Sequence, residues 1–131
     1  MFTQIKTSSA NKRVVSELSR KFNLATENVI ARIAYTYSLS KNRKLDLLEI
    51  KDSSGKEYSK NVLFGNNYPY YVAMLCVHYQ ISENNKDIPR YIKMHIDDGL
   101  ELIDAEVKDN PNLSGFDYLI DKIEEGLNGL C

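Results

Sequence analysis

The residues with reactive side chains are few and poorly spaced for catalysis. His78 and His95 lie in apolar surroundings on separate helical stretches, without the carboxylate or thiolate partners at ligand spacing that a zinc site needs. Asp97-Asp98 could in principle hold a divalent cation. Adjacent residues of a helix point about 100° apart, however, so the two carboxylates do not converge on one ion. Cys76 falls in an apolar run, where a free thiol behaves as a small hydrophobe, and Cys131 is expected to fray at the chain end. Gly55-Lys56 lacks the upstream glycine and following Ser or Thr of a phosphate loop. The sequence contains no nucleophile elbow, paired-histidine zinc helix or Cys-x-x-Cys. These residues point to no enzyme, metal or cofactor.

The cations are arranged more suggestively. The net charge is −1, but through Lys60 there are 12 Lys and Arg against 6 Asp and Glu, and after it 5 against 12. A basic half joined to an acidic half suggests a polyanion partner for one end. Ser40-Lys41-Asn42-Arg43-Lys44 follows a helix, where one cation suits the dipole and three exceed what it needs, so phosphate contact is expected. With Lys6, Lys12, Arg13, Arg20 and Lys21 upstream, Lys41, Arg43 and Lys44 make the candidate DNA-contact set. Most of the nine tyrosines, Tyr35, Tyr37, Tyr71 and Tyr79 among them, lie in apolar stripes and read as core. Tyr58 is expected to be the exposed contact.

Positioning falls to a mostly helical chain of 131 residues, one domain's worth, able to bury a core without staples. Thr3, Ile5 and Thr7 alternate with Phe2, Gln4 and Lys6 as in a short strand, which must pair with a later strand or with its copy in another subunit. Ile5 then packs inward, with Gln4 and Lys6 outward. Thr7, Ser8 and Ser9 supply capping hydroxyls for a helix over Ala10–Phe22. A central helix follows over Thr26–Leu39, with Thr26 as the N-cap and small Ala31 and Ala34 allowing close approach. Asp52-Ser53-Ser54-Gly55 reads as a turn. Further helices are expected from Pro69 to about Gln80, from Pro89 to Asn110, and over Phe116–Leu127. The Pro69 helix is apolar over much of its circumference and reads as buried or as a subunit contact. The last helix carries Phe116, Leu119, Ile120, Ile123 and Leu127 on one stripe, with Asp117, Asp121, Glu124 and Glu125 in water.

The fold class is therefore mainly α. A ribbon-helix-helix-like unit of one short strand and two helices occupies 1–44. A loop and turn segment at 45–67 and three further helices at 68–131 complete it. Two copies of a ribbon-helix-helix half pair their strands into a ribbon that can enter the major groove. The longest apolar run, about Tyr70–Tyr79, is far short of a membrane span, and the two cysteines form no framework. With no leader pattern at the start, the expectation is a soluble protein of the reducing cytoplasm.

Ile5-Lys6-Thr7-Ser8, Asn28-Val29-Ile30-Ala31-Arg32-Ile33-Ala34 and Ser38-Leu39-Ser40 resemble the N-terminal half of the DNA sulfur modification family DndE. Gly55-Lys56-Glu57-Tyr58, Val62-Leu63-Phe64-Gly65 and His95-Ile96-Asp97-Asp98-Gly99-Leu100-Glu101-Leu102-Ile103 resemble its middle and C-terminal signatures. The resemblance covers about Ile5–Ile103 and stops by Asp104. It implies a small non-enzymatic accessory protein of DNA phosphorothioation, in which sulfur replaces a non-bridging phosphate oxygen. It also implies membership of the ribbon-helix-helix superfamily and a homo-oligomer, a tetramer, that binds nicked duplex DNA through surface lysines. The implied partners are a cysteine desulfurase, an iron–sulfur protein and an ATPase. Two other classes fit the residues: a protein–protein scaffold, and a ribbon-helix-helix repressor reading DNA through Gln4 and Lys6.

Overall fold

The computed structural model describes residues 2–129; Cys131 lies outside them. The elements run β1 (Gln4–Lys6), α1 (Asn11–Lys21), α2 (Glu27–Ser40), β2 (Glu57–Ser59), α3 (Lys60–Phe64), α4 (Tyr68–Tyr79), α5 (Ile88–Asp109) and α6 (Gly115–Asn128). The long axis of the core is α5. Pro89 pre-sets the backbone of its first turn, and Ile88, Ile92, Ile96, Leu100 and Ile103 recur every three or four residues and are all buried. Against it lies α2, which turns Ile30, Ala31, Ala34, Tyr35, Ser38 and Leu39 inward. This pair packs more extensively than any other two described elements. The reason is side-chain size. A Cβ on Gly99 would stand 1.9 Å from the Ala34 carbonyl oxygen and 2.8 Å from its Cα, so the two backbones touch where both residues are minimal.

The strand finds its partner inside its own chain. β1 pairs antiparallel with β2, with Gln4 opposite Ser59, Ile5 opposite Tyr58 and Lys6 opposite Glu57. Alternation along both strands drives Ile5 and Tyr58 into the core and leaves Gln4, Lys6, Glu57 and Ser59 outside. Tyr58 is thus only 3% exposed, which corrects its reading as a surface contact. The 45–67 stretch contributes this strand and the short α3, which Ser59 caps by accepting from the Val62 amide at 3.2 Å. Gly55 lies against the backbone of Thr7 and Ser8, close enough that no side chain fits there.

The expected hydroxyl caps are absent where the sequence placed them. Thr26 occupies the N-cap of α2 in extended conformation but makes no side-chain cap bond. Ahead of α1, the Ser8 and Ser9 carbonyls accept from the Asn11 and Lys12 amides instead. The Thr7 hydroxyl donates across to the Lys56 carbonyl, and the Ser8 hydroxyl is buried without a partner.

Two helices leave apolar surface uncovered. On α4 only Val72 and Leu75 are buried, while Tyr70 and Val77 are 73% and 79% exposed. Of the expected stripe of α6, Phe116, Ile120, Ile123 and Leu127 face out, while Leu119 is half-buried against the core. That helix instead seats Tyr118 on Phe22, with stacked rings 5.5 Å apart, and lays Gly115 on the Lys21 backbone. No described helix is long and apolar enough to cross a membrane.

The contact between α2 and α5 sets the first prediction. Gly99→Ala forces the two backbones apart and should cost at least about 2 kcal/mol in urea unfolding. Gly126→Ala, where nothing lies within 4 Å, should leave the midpoint unchanged or raised.

Candidate nucleic-acid interface

The eight cations picked from the sequence are placed in three groups. Lys6 lies on β1, with Lys12 and Arg13 on the first turn of α1. Arg20 and Lys21 close the same helix, about 16 Å along its axis from its start. Lys41, Arg43 and Lys44 follow α2. All are exposed except Lys21, which is half-buried. They differ in how they are compensated. Arg13 pairs with Glu17 at 2.6 Å, and Arg43 pairs with Asp98. Lys41 sits over the Tyr37 ring, 4.6 Å from its centroid. Lys6, Lys12, Arg20, Lys21 and Lys44 have no ion-pair partner among the described residues.

The fold also joins cations that the chain order separates. Beside β1 runs a shallow groove of about 340 Å³ lined by Lys6, Lys51, Arg90 and Lys93. Lys51 is tied to Glu101, Arg90 to Asp87 at 3.2 Å, and Lys93 to Asp97 at 2.8 Å. Arg90 escaped the sequence reading because it belongs to the acidic half, and charge summed along a chain does not see which helix folds back beside which strand.

The loop after α2 is held by a buried polar chain whose proton positions can be worked out. Asp98 Oδ2 can only accept, so the Ser38 hydroxyl, 2.6 Å away, donates to it. Ser38 Oγ therefore accepts from His95 Nδ1 at 2.8 Å. On the other side of the ring, the Leu45 amide donates to the Tyr79 hydroxyl at 2.9 Å, and that hydroxyl donates to His95 Nε2 at 2.7 Å. The bonds thus run in one direction, from the Leu45 amide through Tyr79, His95 and Ser38 to Asp98, where Arg43 closes the end. His78 Nε2 lies 2.6 Å from the Arg43 carbonyl. His95 is a neutral link here. Burial first, then His78 and Arg43, press its pKa down to about 4 against the opposing pull of Asp98.

The remaining buried charge is structural in its partners. Asp97 accepts from the Ser8 amide at 3.1 Å and from Asn11 at 2.9 Å, and pairs with Lys93. Lys93 also donates to the Asp52 carbonyl at 2.7 Å. Asp97 and Asp98, about 100° apart on α5, are engaged by different partners. Among the described residues no group of three or more His, Cys, Asp or Glu could hold a metal. Cys76 is half-buried, and burial raises its thiol pKa.

These features define a class: a small, mainly helical domain closed by a two-strand ribbon, with uncompensated cations on β1, on α1 and after α2. The chain matches the family model described as DNA sulphur modification protein DndE over residues 4–110, and it belongs to that family. Two solved structures share its fold. DndE from Escherichia coli B7A, involved in DNA phosphorothioation modification, is 16% identical with a TM-score of 0.63. A glycine-to-lysine double mutant of DndE involved in DNA phosphorothioation is 19% identical with a TM-score of 0.65. Each alignment covers 79% of this chain and 98% of the other. No curated protein sequence matches the chain. Helix α6 begins after the family match ends.

The depressed His95 predicts an acid-labile fold. The unfolded chain takes up the proton near pH 6.5 and the folded one only near pH 4, so stability is full above pH 6.5 and falls between these values. The loss should be about 2 kcal/mol from pH 7 to pH 5 in urea melts. Carboxylates such as Glu106, which Lys122 and Tyr37 hold low against the upward push of burial, scarcely titrate in that window. The His95→Gln variant should lose most of this slope; an unchanged slope would assign it elsewhere.

Proposed function

We propose that this chain is a non-enzymatic, DNA-binding accessory subunit of the DNA phosphorothioation system. It binds duplex DNA, nicked duplex included, through basic surfaces brought together in a homo-oligomer. Family membership supports the place in sulphur modification. The observation that carries DNA binding is the set of five cations, Lys6, Lys12, Arg20, Lys21 and Lys44, that are accessible and unpaired on a DndE-family fold. Each can give up its own hydration and counterions to a phosphate without first leaving a carboxylate. Arg13, Lys41 and Arg43 complete the proposed contact set, with Arg13 and Arg43 exchanging Glu17 and Asp98 for phosphate. A nick lowers the cost of bending duplex onto such spaced groups.

The self-association face is the bare side of α4, where Tyr70, Met74 and Val77 recur on one stripe in a helix without Lys, Arg, Asp or Glu. Assembly as a tetramer repeats each cation four times, so weak single contacts add by avidity. The proposed partners are a cysteine desulfurase, an iron–sulfur protein and an ATPase, and the compartment is the cytoplasm. A repressor that reads DNA through paired β1 strands is less favoured, because β1 already pairs with β2 and Lys6 faces Glu57 across that pair.

Binding of intact and nicked duplex, followed by fluorescence anisotropy against salt, tests this reading. The five unpaired cations alone give a log–log slope of about −4.5 per engaged protomer. The double variant Lys12→Glu/Arg20→Glu and the double variant Lys41→Glu/Lys44→Glu should each weaken binding while leaving thermal unfolding unchanged. Unaltered affinity in both rejects the proposed surface. Arg43→Glu is a poor probe, since it sets a second carboxylate against Asp98 at the end of the buried chain.

A further inference from the structure

The C-terminal helix lies outside the family match and is tied to the core through a few specific side-chain contacts. Glu106 accepts from Tyr37 at 2.8 Å and pairs with Lys122 at 2.8 Å, while Lys122 lies over the Tyr37 and Tyr118 rings. Successive residues turn by about 100°, so Tyr118, Lys122 and Leu119 occupy the side of α6 that faces the core, as their burial shows. Phe116, Ile120, Ile123 and Leu127 fall together on a flank of the helix, and Phe116 and Ile123 are 71% and 59% exposed. Toward α2 this flank opens into a groove of about 680 Å³ walled by Ile33, Tyr37, Leu119 and Ile123 and lined also by Lys41, Lys122 and Glu125, Lys122 being paired with Glu106. Away from α2 it is edged by Glu124, Asp117 and Asp121, all exposed.

We propose that the flank of α6 and the groove it shares with α2 form a docking site for a basic amphipathic helix of another protein. The occupant lays its apolar ridge on Ile33, Leu119, Ile120 and Ile123 and a line of Lys or Arg along Asp117, Asp121 and Glu124. Charge selects this occupant. A carboxylate edge repels a nucleic-acid backbone, and two α6 flanks from two copies of the chain would set the same carboxylates against each other. Length agrees, because α6 offers about 20 Å of continuous stripe, three to four turns of a partner helix. The site is separate from the bare side of α4 and shares only Lys41 with the proposed DNA contacts; Ile123→Asp leaves Lys41 in place, so the two readings fail separately.

The probe is a synthetic Leu/Lys amphipathic peptide of about 14 residues, matched to α6, beside the same peptide with Glu replacing Lys. Anisotropy titrations on the full chain should show the Lys peptide binding at least about tenfold tighter than the Glu peptide. Ile123→Asp should weaken the Lys peptide at least about tenfold with unchanged circular dichroism, and Asp117→Lys/Glu124→Lys should abolish the preference between peptides. Light scattering on Ile123→Asp should return the unaltered particle mass. Equal binding of both peptides, binding of neither, or an Ile123→Asp variant that keeps full affinity overturns the proposal. So does a mass that drops in that variant, which would give the face to a second copy of this chain.

Discussion

Everything else in the molecule is arranged around backbone contact at Ala34 and Gly99. Two helices this close leave no room for a side chain at their crossing, so α2 and α5 meet as smooth cylinders and bury apolar flanks to either side. That contact fixes the angle and height of α2 on α5, and with them the place where α2 ends. The loop carrying Lys41, Arg43 and Lys44 therefore projects from a rigid point, although the loop itself lies on the surface.

Polar residues on α5 then attach the other elements. Its apolar face makes the core, while Lys93 and Asp97 reach the segment before α1 and the Asp52 turn, and His95 and Asp98 reach α2, Tyr79 and Arg43. Each of these groups is costly to bury alone and is satisfied by a different part of the chain. One helix thus sorts its neighbours by chemistry as well as by shape. The residues with the most enzyme-like appearance, a Ser, a His and an Asp in hydrogen-bonded sequence, serve to hold a loop.

Much of the fold was legible in the sequence, since the spacing of Val14, Val15 and Leu18, or of Ile92, Ile96 and Leu100, allows little but a helix facing one way. Local pattern did not reveal β2, because three residues cannot establish a period and its partner lies more than fifty positions upstream. Tyr58 was misread for the same reason: its side was decided by pairing with Ile5. The stripe on α6 was seen correctly, but hydrophobicity alone does not say whether a stripe meets the core or a partner. Of the cations, their number and clustering were legible, whereas the pairing of Arg43 with Asp98 and the nearness of Arg90 to Lys6 arise only when α5 folds back across the chain.

The ribbon and the α2–α5 contact also impose an order on biosynthesis. β1 leaves the ribosome well before its partner Tyr58, and α2 well before Gly99. Until then the basic α1–α2 hairpin is a nascent segment with one face unburied, available to chaperones or to passing polyanions. Closure of the core therefore waits on α5, which supplies the face that α2 packs against.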